Sequence, residues 1–209
     1  MQVLDVSRIQ PLSDEDLARA DWYGLVGRLF SSPLDQAALS QLSGVELGFD
    51  VDKLSQDEPG GIEPCFASLC RACDGARPEL LKEEFDLVFV GTGKAEVFLN
   101  ASFYQAGFLH EKPLVDLRSL LNRLGYARKD EIADTEDHLS LLCASMRRLI
   151  LDRVPIAEQK ELFMGFLADW FEQACDAIEA NSNTDFYKHA ARLMRSFFAI
   201  ERQSFDFEE

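Results

Sequence analysis

Along almost the whole chain, apolar residues recur three and four positions apart, and no segment sustains the alternation of a half-buried strand. That pattern predicts an all-α protein, a compact helical bundle of roughly eight to ten helices. Ser13-Asp14-Glu15-Asp16 has the form of a cap and an acidic first turn. It predicts a helix whose Leu17, Ala20, Leu25 and Leu29 face the core, with Trp22 and Phe30 beside them. Ser32-Pro33-Leu34-Asp35 repeats the device with proline at the first helical position, predicting a short second helix.

From Ser43 to Pro64 the periodicity gives way to Gly44, Gly48, Pro59, Gly60, Gly61 and several acids, the composition of a surface connection. Helical spacing returns at Phe66 to Cys73, and again from Pro78 through Phe89, where Leu81, Phe85 and Val88 share a side. Gly91-Thr92-Gly93 is predicted to stop that helix, because glycine takes backbone angles a helix refuses. Lys94 to Lys112 reads as a loop rich in aromatic residues, Phe98, Phe103, Tyr104 and Phe108, and Pro113 to Gly125 as a helix. Three apolar stripes follow: Leu139 to Ile150, Leu162 to Ala174 and Phe186 to Phe198. The expectation is one all-helical domain over 1–209, with any subdivision near 125–135.

A chain of 209 residues can bury one sizeable core. Its 21 Lys and Arg stand against 37 Asp and Glu, for a net charge of −16. Such a charge disfavours nucleic acid and anionic membrane surfaces and draws in cationic partners. The start, Met-Gln-Val-Leu-Asp-Val-Ser-Arg, has neither the basic nor the apolar region of a secretory signal, and runs such as Leu87 to Val90 are too short to span a bilayer. The expected location is the cytoplasm. The five cysteines (Cys65, Cys70, Cys73, Cys143 and Cys175) form an odd set without framework spacing, which suits reduced core residues. Cys70 and Cys73 make a single Cys-x-x-Cys with no second pair, so neither a metal nor another cofactor is expected.

The stretch Asp134-Thr135-Glu136-Asp137-His138 directly precedes an apolar stripe. Asp134 or Thr135 is the expected helix cap, and Glu136 and Asp137 then lie near the positive helix end. Capping accounts for the acids but not for His138, which stands one turn before Leu142 and reads either as a buried histidine bonded to a carboxylate or as a functional one. Catalysis by His138 needs a nucleophile beside it, and the local sequence places no Ser or Cys there. Gly91-Thr92-Gly93-Lys94 is not a phosphate loop, because Val88 and Ala95 occupy positions that require glycine and a hydroxyl.

Taken in order, these pieces resemble the TorD/DmsD/NarJ-like maturation chaperones of bacterial molybdenum oxidoreductases, nearest the TorD/DmsD branch. The resemblance is carried by Tyr23, Leu29-Phe30 and Ser32-Pro33; by Glu84-Phe85-Asp86-Leu87-Val88-Phe89-Val90-Gly91-Thr92-Gly93; and by Ser102-Phe103-Tyr104. It is strongest at Asp134-Thr135-Glu136-Asp137-His138, where the family carries Glu-Pro-x-Asp-His and this chain substitutes Asp134 and Thr135. Phe163 to Trp170 and Phe186 to Phe197 resemble the family's last two helices. The resemblance implies an all-α, TorD-like chaperone without a cofactor. Such a chaperone binds the twin-arginine signal peptide, or the apo form, of a molybdenum enzyme before cofactor insertion and export.

It also places Asp137, His138, Ser102, Tyr104 and the Leu87 to Gly91 segment, with Leu87 and Phe89, in the region of signal-peptide binding. Two guanidinium groups beside an apolar stretch call for carboxylates beside an apolar groove. Glu136 and Asp137 would meet the arginines, while Leu142 and the 98 to 108 loop would meet the apolar part. The expected partner is the enzyme precursor, bound by a monomer or a domain-swapped dimer. Two alternatives stand beside this reading: a hydrolase using Asp137 and His138, and a permanent structural subunit of a redox complex.

Overall fold

A computed structural model describes residues 11–48, 60–91, 94–109, 112–127 and 134–207. Ten α-helices lie among them: α1 (Asp14–Ser31), α2 (Gln36–Ser43), α3 (Ile62–Cys73), α4 (Pro78–Phe85), α5 (Ala101–Ala106), α6 (Lys112–Arg123), α7 (Leu139–Leu151), α8 (Ile156–Phe166), α9 (Phe171–Ala180) and α10 (Phe186–Phe207). No strand occurs among the described residues; the one β-type contact is an isolated antiparallel bridge between Asn100 and His138. Thr92 and Gly93 of the predicted glycine stop, half of the predicted surface connection (49–59) and the 128–133 stretch lie outside the described residues.

The α1 helix starts as predicted, with the Asp16 amide donating to Ser13 Oγ at 3.0 Å. Its core face is turned from the predicted one. Ala20, Tyr23, Val26, Leu29 and Phe30 are fully buried, whereas Leu17 is 43% exposed and Leu25 only partly covered. The helix packs along α7, and Gly27 permits the close approach: a Cβ there would lie 3.1 Å from Cys143 Cβ and 3.3 Å from the Ser140 carbonyl oxygen. Arg19, on the same helix, reaches α10 and donates twice to the buried Glu201 carboxylate, at 2.8 and 2.9 Å, while the Tyr23 hydroxyl donates a third bond at 2.8 Å.

Four other expectations are corrected. The second helix begins at Gln36, because Asp35 rather than Ser32 supplies the cap, accepting from the Ala38 amide at 2.8 Å. The run from Pro78 leaves α-geometry at Asp86 and ends in a π turn, Asp86–Val90, closed by a bond from the Gly91 amide to the Asp86 carbonyl. The aromatic loop contains α5. The stripe from Leu162 to Ala174 is two helices, not one: Leu167 and Trp170 leave helical geometry, and the Trp170 indole N–H donates to the Phe166 carbonyl at 2.6 Å. A carbonyl that would otherwise be orphaned at a helix end is thereby satisfied inside the core.

The carboxylate of Glu84, at the end of α4, accepts the amides of Asp185, Phe186 and Tyr187 at 2.9, 3.1 and 2.9 Å. It thus caps α10 from about a hundred residues earlier in the chain. The five cysteines are buried free thiols. No helix among the described residues is long and apolar enough to cross a membrane.

Candidate functional site

The Asp134 to His138 stretch is stitched to the segment that opens α5. The Ala101 amide donates to the Asp137 carbonyl at 3.0 Å and the Leu139 amide to the Leu99 carbonyl at 2.7 Å, forming the Asn100–His138 bridge. Asn100, at the cap position of α5, makes no side-chain cap. Asp137 does it instead: its carboxylate accepts the Ser102 amide at 3.0 Å and the Ser102 hydroxyl at 2.5 Å, with further bonds from Thr135 Oγ1 at 2.5 Å and Asn100 Nδ2 at 3.3 Å. Burial pushes the Asp137 pKa upward, but these donors together hold it below the ordinary aspartate value.

This placement corrects the roles read from the sequence. Asp137 has no exposed surface, and Ser102 and Leu142 have none either. Asp137 is therefore a positioning residue that fixes α5, not a surface carboxylate for an arginine to reach. Glu136 remains partly exposed and pairs with Arg118 of α6, whose Nε and Nη2 donate at 3.0 and 2.9 Å.

The cap of α7 is His138, where Asp134 or Thr135 was expected. Its Nδ1 accepts the Ser140 amide at 3.2 Å and lies 2.8 Å from the Ser140 hydroxyl. A serine therefore does stand beside the histidine, two residues on and masked in the sequence by its own helix start. Both contacts fall on the same ring nitrogen, whose single lone pair serves the cap, so the pair is organised for capping and not for activating a nucleophile. Burial lowers the His138 pKa, with Asp134 and Asp137 opposing, which favours the neutral ring, and the bond from the Ser140 amide to Nδ1 selects the tautomer protonated at Nε2.

Above α5 the aromatic side chains form a continuous series. Phe98 and Phe103 stack with centroids 4.2 Å apart, Phe103 meets Tyr104 edge-on at 5.2 Å, and Tyr104 stacks on the core Trp170 at 5.1 Å. The Tyr104 hydroxyl donates to the Phe98 carbonyl at 2.9 Å. Beyond this series, Phe108 is 70% exposed, Leu109 38% and, on the adjoining α6, Val115 58%. Sequence spacing had set Phe108 among the loop aromatics but left Leu109 and Val115 unmarked, because the helical pattern does not say which apolar residues stay outside the core.

The other predicted residues lie apart from it. Phe89 sits among Phe30, Phe85 and Tyr187 at the π turn, with Leu87 exposed on the outside. No bond joins Leu87 or Phe89 to the Ser102–Asp137 cluster among the described residues. On the far side of Ser140 a cleft of about 670 Å³ opens between α1 and α7. It is lined by Gly24, Arg28 and Arg147 as well as Asp21, so it does not have the acidic rim expected of an arginine receptor.

Comparison with known proteins places this arrangement in context. Residues 56–176 match the family described as the nitrate reductase delta subunit. Chaperone protein TorD of Photobacterium profundum is 24% identical over 133 residues, covering 58% of this chain and 62% of the relative. The match thus spans less than two thirds of that relative's length. In the crystal structure of a protein described as a redox enzyme maturation protein from Archaeoglobus fulgidus, 13% identical, the match covers 93% of this chain and 98% of that one with a TM-score of 0.55. At that identity the likeness is one of fold, and it extends over nearly the whole of both chains.

Proposed function

This chain belongs to the nitrate reductase delta subunit family, and from that premise we propose that it is a non-enzymatic maturation chaperone of a redox enzyme, acting in the cytoplasm. Its client is the precursor of a molybdenum-containing oxidoreductase, bound through the twin-arginine signal peptide and held back from export until the cofactor is inserted. The observation that carries the reading is the surface built over Ser102 and Asp137. Exposed Phe108 and Leu109 precede α6, and exposed Val115 stands one turn before Arg118 on that helix, whose guanidinium pairs with the partly exposed Glu136 next to the buried Ser102–Asp137 bonds.

A signal peptide presents guanidinium groups followed by an apolar run, and a carboxylate with exposed apolar side chains complements the two. The peptide's apolar part covers Phe108, Leu109 and Val115. One of its arginines takes the place of Arg118 on Glu136, an exchange of one guanidinium for another that costs little solvation. Asp137 and His138 contribute by holding α5 and α7 in place. Ser102 acts with them, and Tyr104 braces the aromatic series against Trp170.

Calorimetry with a synthetic twin-arginine signal peptide tests this. Binding is expected to weaken about tenfold when both peptide arginines are replaced by glutamine, and again with Phe108→Ser on the protein. Equal affinity for the two peptides would remove the surface from the mechanism. The word subunit in the family's description favours a second reading, a permanent component of a redox complex. Recovery of the chain in equal amount with the mature enzyme, in place of its precursor, would establish that reading instead.

A further inference from the structure

A groove runs along the outer side of α10, between α1 and the turn that opens α3. One half, about 270 Å³, lies over Trp22 and Phe205; the other, about 470 Å³, lies over Pro64 and Ala199. Ile62 and Ile200 line both halves, so the two hollows adjoin along that pair. From Ser196 to Phe205 the groove follows ~14 Å of helix, the length of two to three turns of a second helix laid against it. Its rim is apolar where a monomer has no need of it: Ile200 is 45% exposed and Ile156 39%.

The charges on this trough are unequal. Arg19 is the cation among its lining residues, and its guanidinium is committed to the buried Glu201 at 2.8 and 2.9 Å. Glu15 and Glu63 line it as well, both are exposed, and neither has an ion pair among the described residues. An apolar floor with unneutralised carboxylates at two points along its length selects a helix with an apolar face and basic flanks.

We propose that this groove docks an amphipathic helix of a partner polypeptide, its apolar face on Trp22, Ile62 and Ile200 and its Lys or Arg side chains toward Glu15 and Glu63. The groove is distinct from the surface over Ser102 and Asp137, so the inference does not depend on the signal-peptide reading. A chaperone with two separate contacts gains avidity when both engage one client chain.

Trp22 makes the test direct, since it lines the groove while the other tryptophan, Trp170, is 1% exposed in the core. The probe is a helical peptide of about 14 residues, leucine on one face and lysine on the other, compared with its leucine/glutamate counterpart. The lysine peptide is expected to bind and shift Trp22 emission to the blue, and the glutamate peptide to leave it unchanged. Ile200→Lys and Glu15→Lys, both at exposed positions, should each weaken binding about tenfold while leaving the circular dichroism and the twin-arginine peptide affinity as they were.

Equal binding of the two peptides, undiminished affinity in both variants, or an emission shift that survives Trp22→Phe would overturn the proposal. So would sedimentation showing that the free protein dimerises and that Ile200→Lys makes it monomeric, since the occupant is then a second copy of this chain.

Discussion

The Asp137 carboxylate caps a helix from 35 residues beyond its Ser102, accepting the Ser102 amide at 3.0 Å and the Ser102 hydroxyl at 2.5 Å. With no exposed surface, this pair lies at the junction of α5, α6 and α7. The stability it contributes decides whether the apolar surface above it keeps its shape.

Asp137→Asn should therefore cost about 1–3 kcal/mol, because it exchanges a charge-assisted acceptor for a weaker one and leaves a buried donor poorly matched. Glu136→Gln, at a part-exposed ion pair, should cost under about 1 kcal/mol. Urea unfolding of the two variants measures both. The pH dependence has a definite sign: a carboxyl lowered in the folded state stabilises above its ordinary value of 3.8, and that stability is lost as pH falls through the lowered folded value.

His138 gives a second, higher transition. Burial holds the folded imidazole below its ordinary value of 6.5, although Asp134 and Asp137 oppose the shift. The unfolded chain then takes up the proton first, so the cap's contribution is complete above that value and is lost as pH falls from it through the folded one. His138→Asn replaces the ring with a good cap that does not titrate. It should change stability by under about 1 kcal/mol at about pH 8 and remove part of the decline that sets in as pH falls below the ordinary imidazole value of 6.5, as followed by urea midpoints.

Glu84 holds the amides of Asp185, Phe186 and Tyr187, the first donors of α10. Glu84→Ala should destabilise the protein by about 1–3 kcal/mol, while Glu83→Ala, at the exposed neighbouring position, should stay within about 0.5 kcal/mol. Hydrogen exchange of the three amides should rise in the first variant and not in the second. Unchanged protection would mean that water replaces the carboxylate at no cost.

Gly91 and Gly125 both have positive φ, +69° and +83°, but their surroundings differ. A Cβ at Gly91 would lie 2.1 Å from the Lys94 carbonyl oxygen, a backbone atom, whereas one at Gly125 meets nothing within 4 Å. Gly125→Ala should cost about 1 kcal/mol from backbone strain alone. Gly91→Ala must also displace the backbone at Lys94 and Ala95, and thermal unfolding should show a loss at least twice as large.

These contacts also show why the sequence was legible only in part. Ser13 could be read as a cap because its acceptor role lies three residues from its donor, and the α7 and α10 stripes because burial repeats with the helical period. Asp137 and Glu84 could not be read as caps, since their donors lie 35 and about 100 residues away and leave no local spacing. The acids of the 134–138 stretch were then free to look like a binding rim. Thr135, the better cap by intrinsic preference, instead donates to Asp137 and accepts from Asn100, which leaves the α7 amides to His138. Trp170 broke the predicted long helix because an indole N–H satisfied a carbonyl in the core, a compensation that periodicity does not encode.

Arg118 supplies the sharpest test of the proposed peptide surface. It is 44% exposed at the side chain while the Glu136 side chain it covers is 13% exposed, so the protein's own guanidinium occupies the position a peptide arginine would take. The two must compete. Arg118→Ala removes the competitor and should tighten a twin-arginine peptide by about fivefold, roughly 1 kcal/mol, with stability changed by under about 1 kcal/mol. The gain should shrink as salt is raised, because the attraction between the peptide arginine and the Glu136 carboxylate is then partly screened. In the Arg118→Ala, Glu136→Gln double variant the gain should vanish altogether. If Arg118→Ala weakens binding instead, Arg118 is itself a peptide contact, and Glu136 serves to orient it.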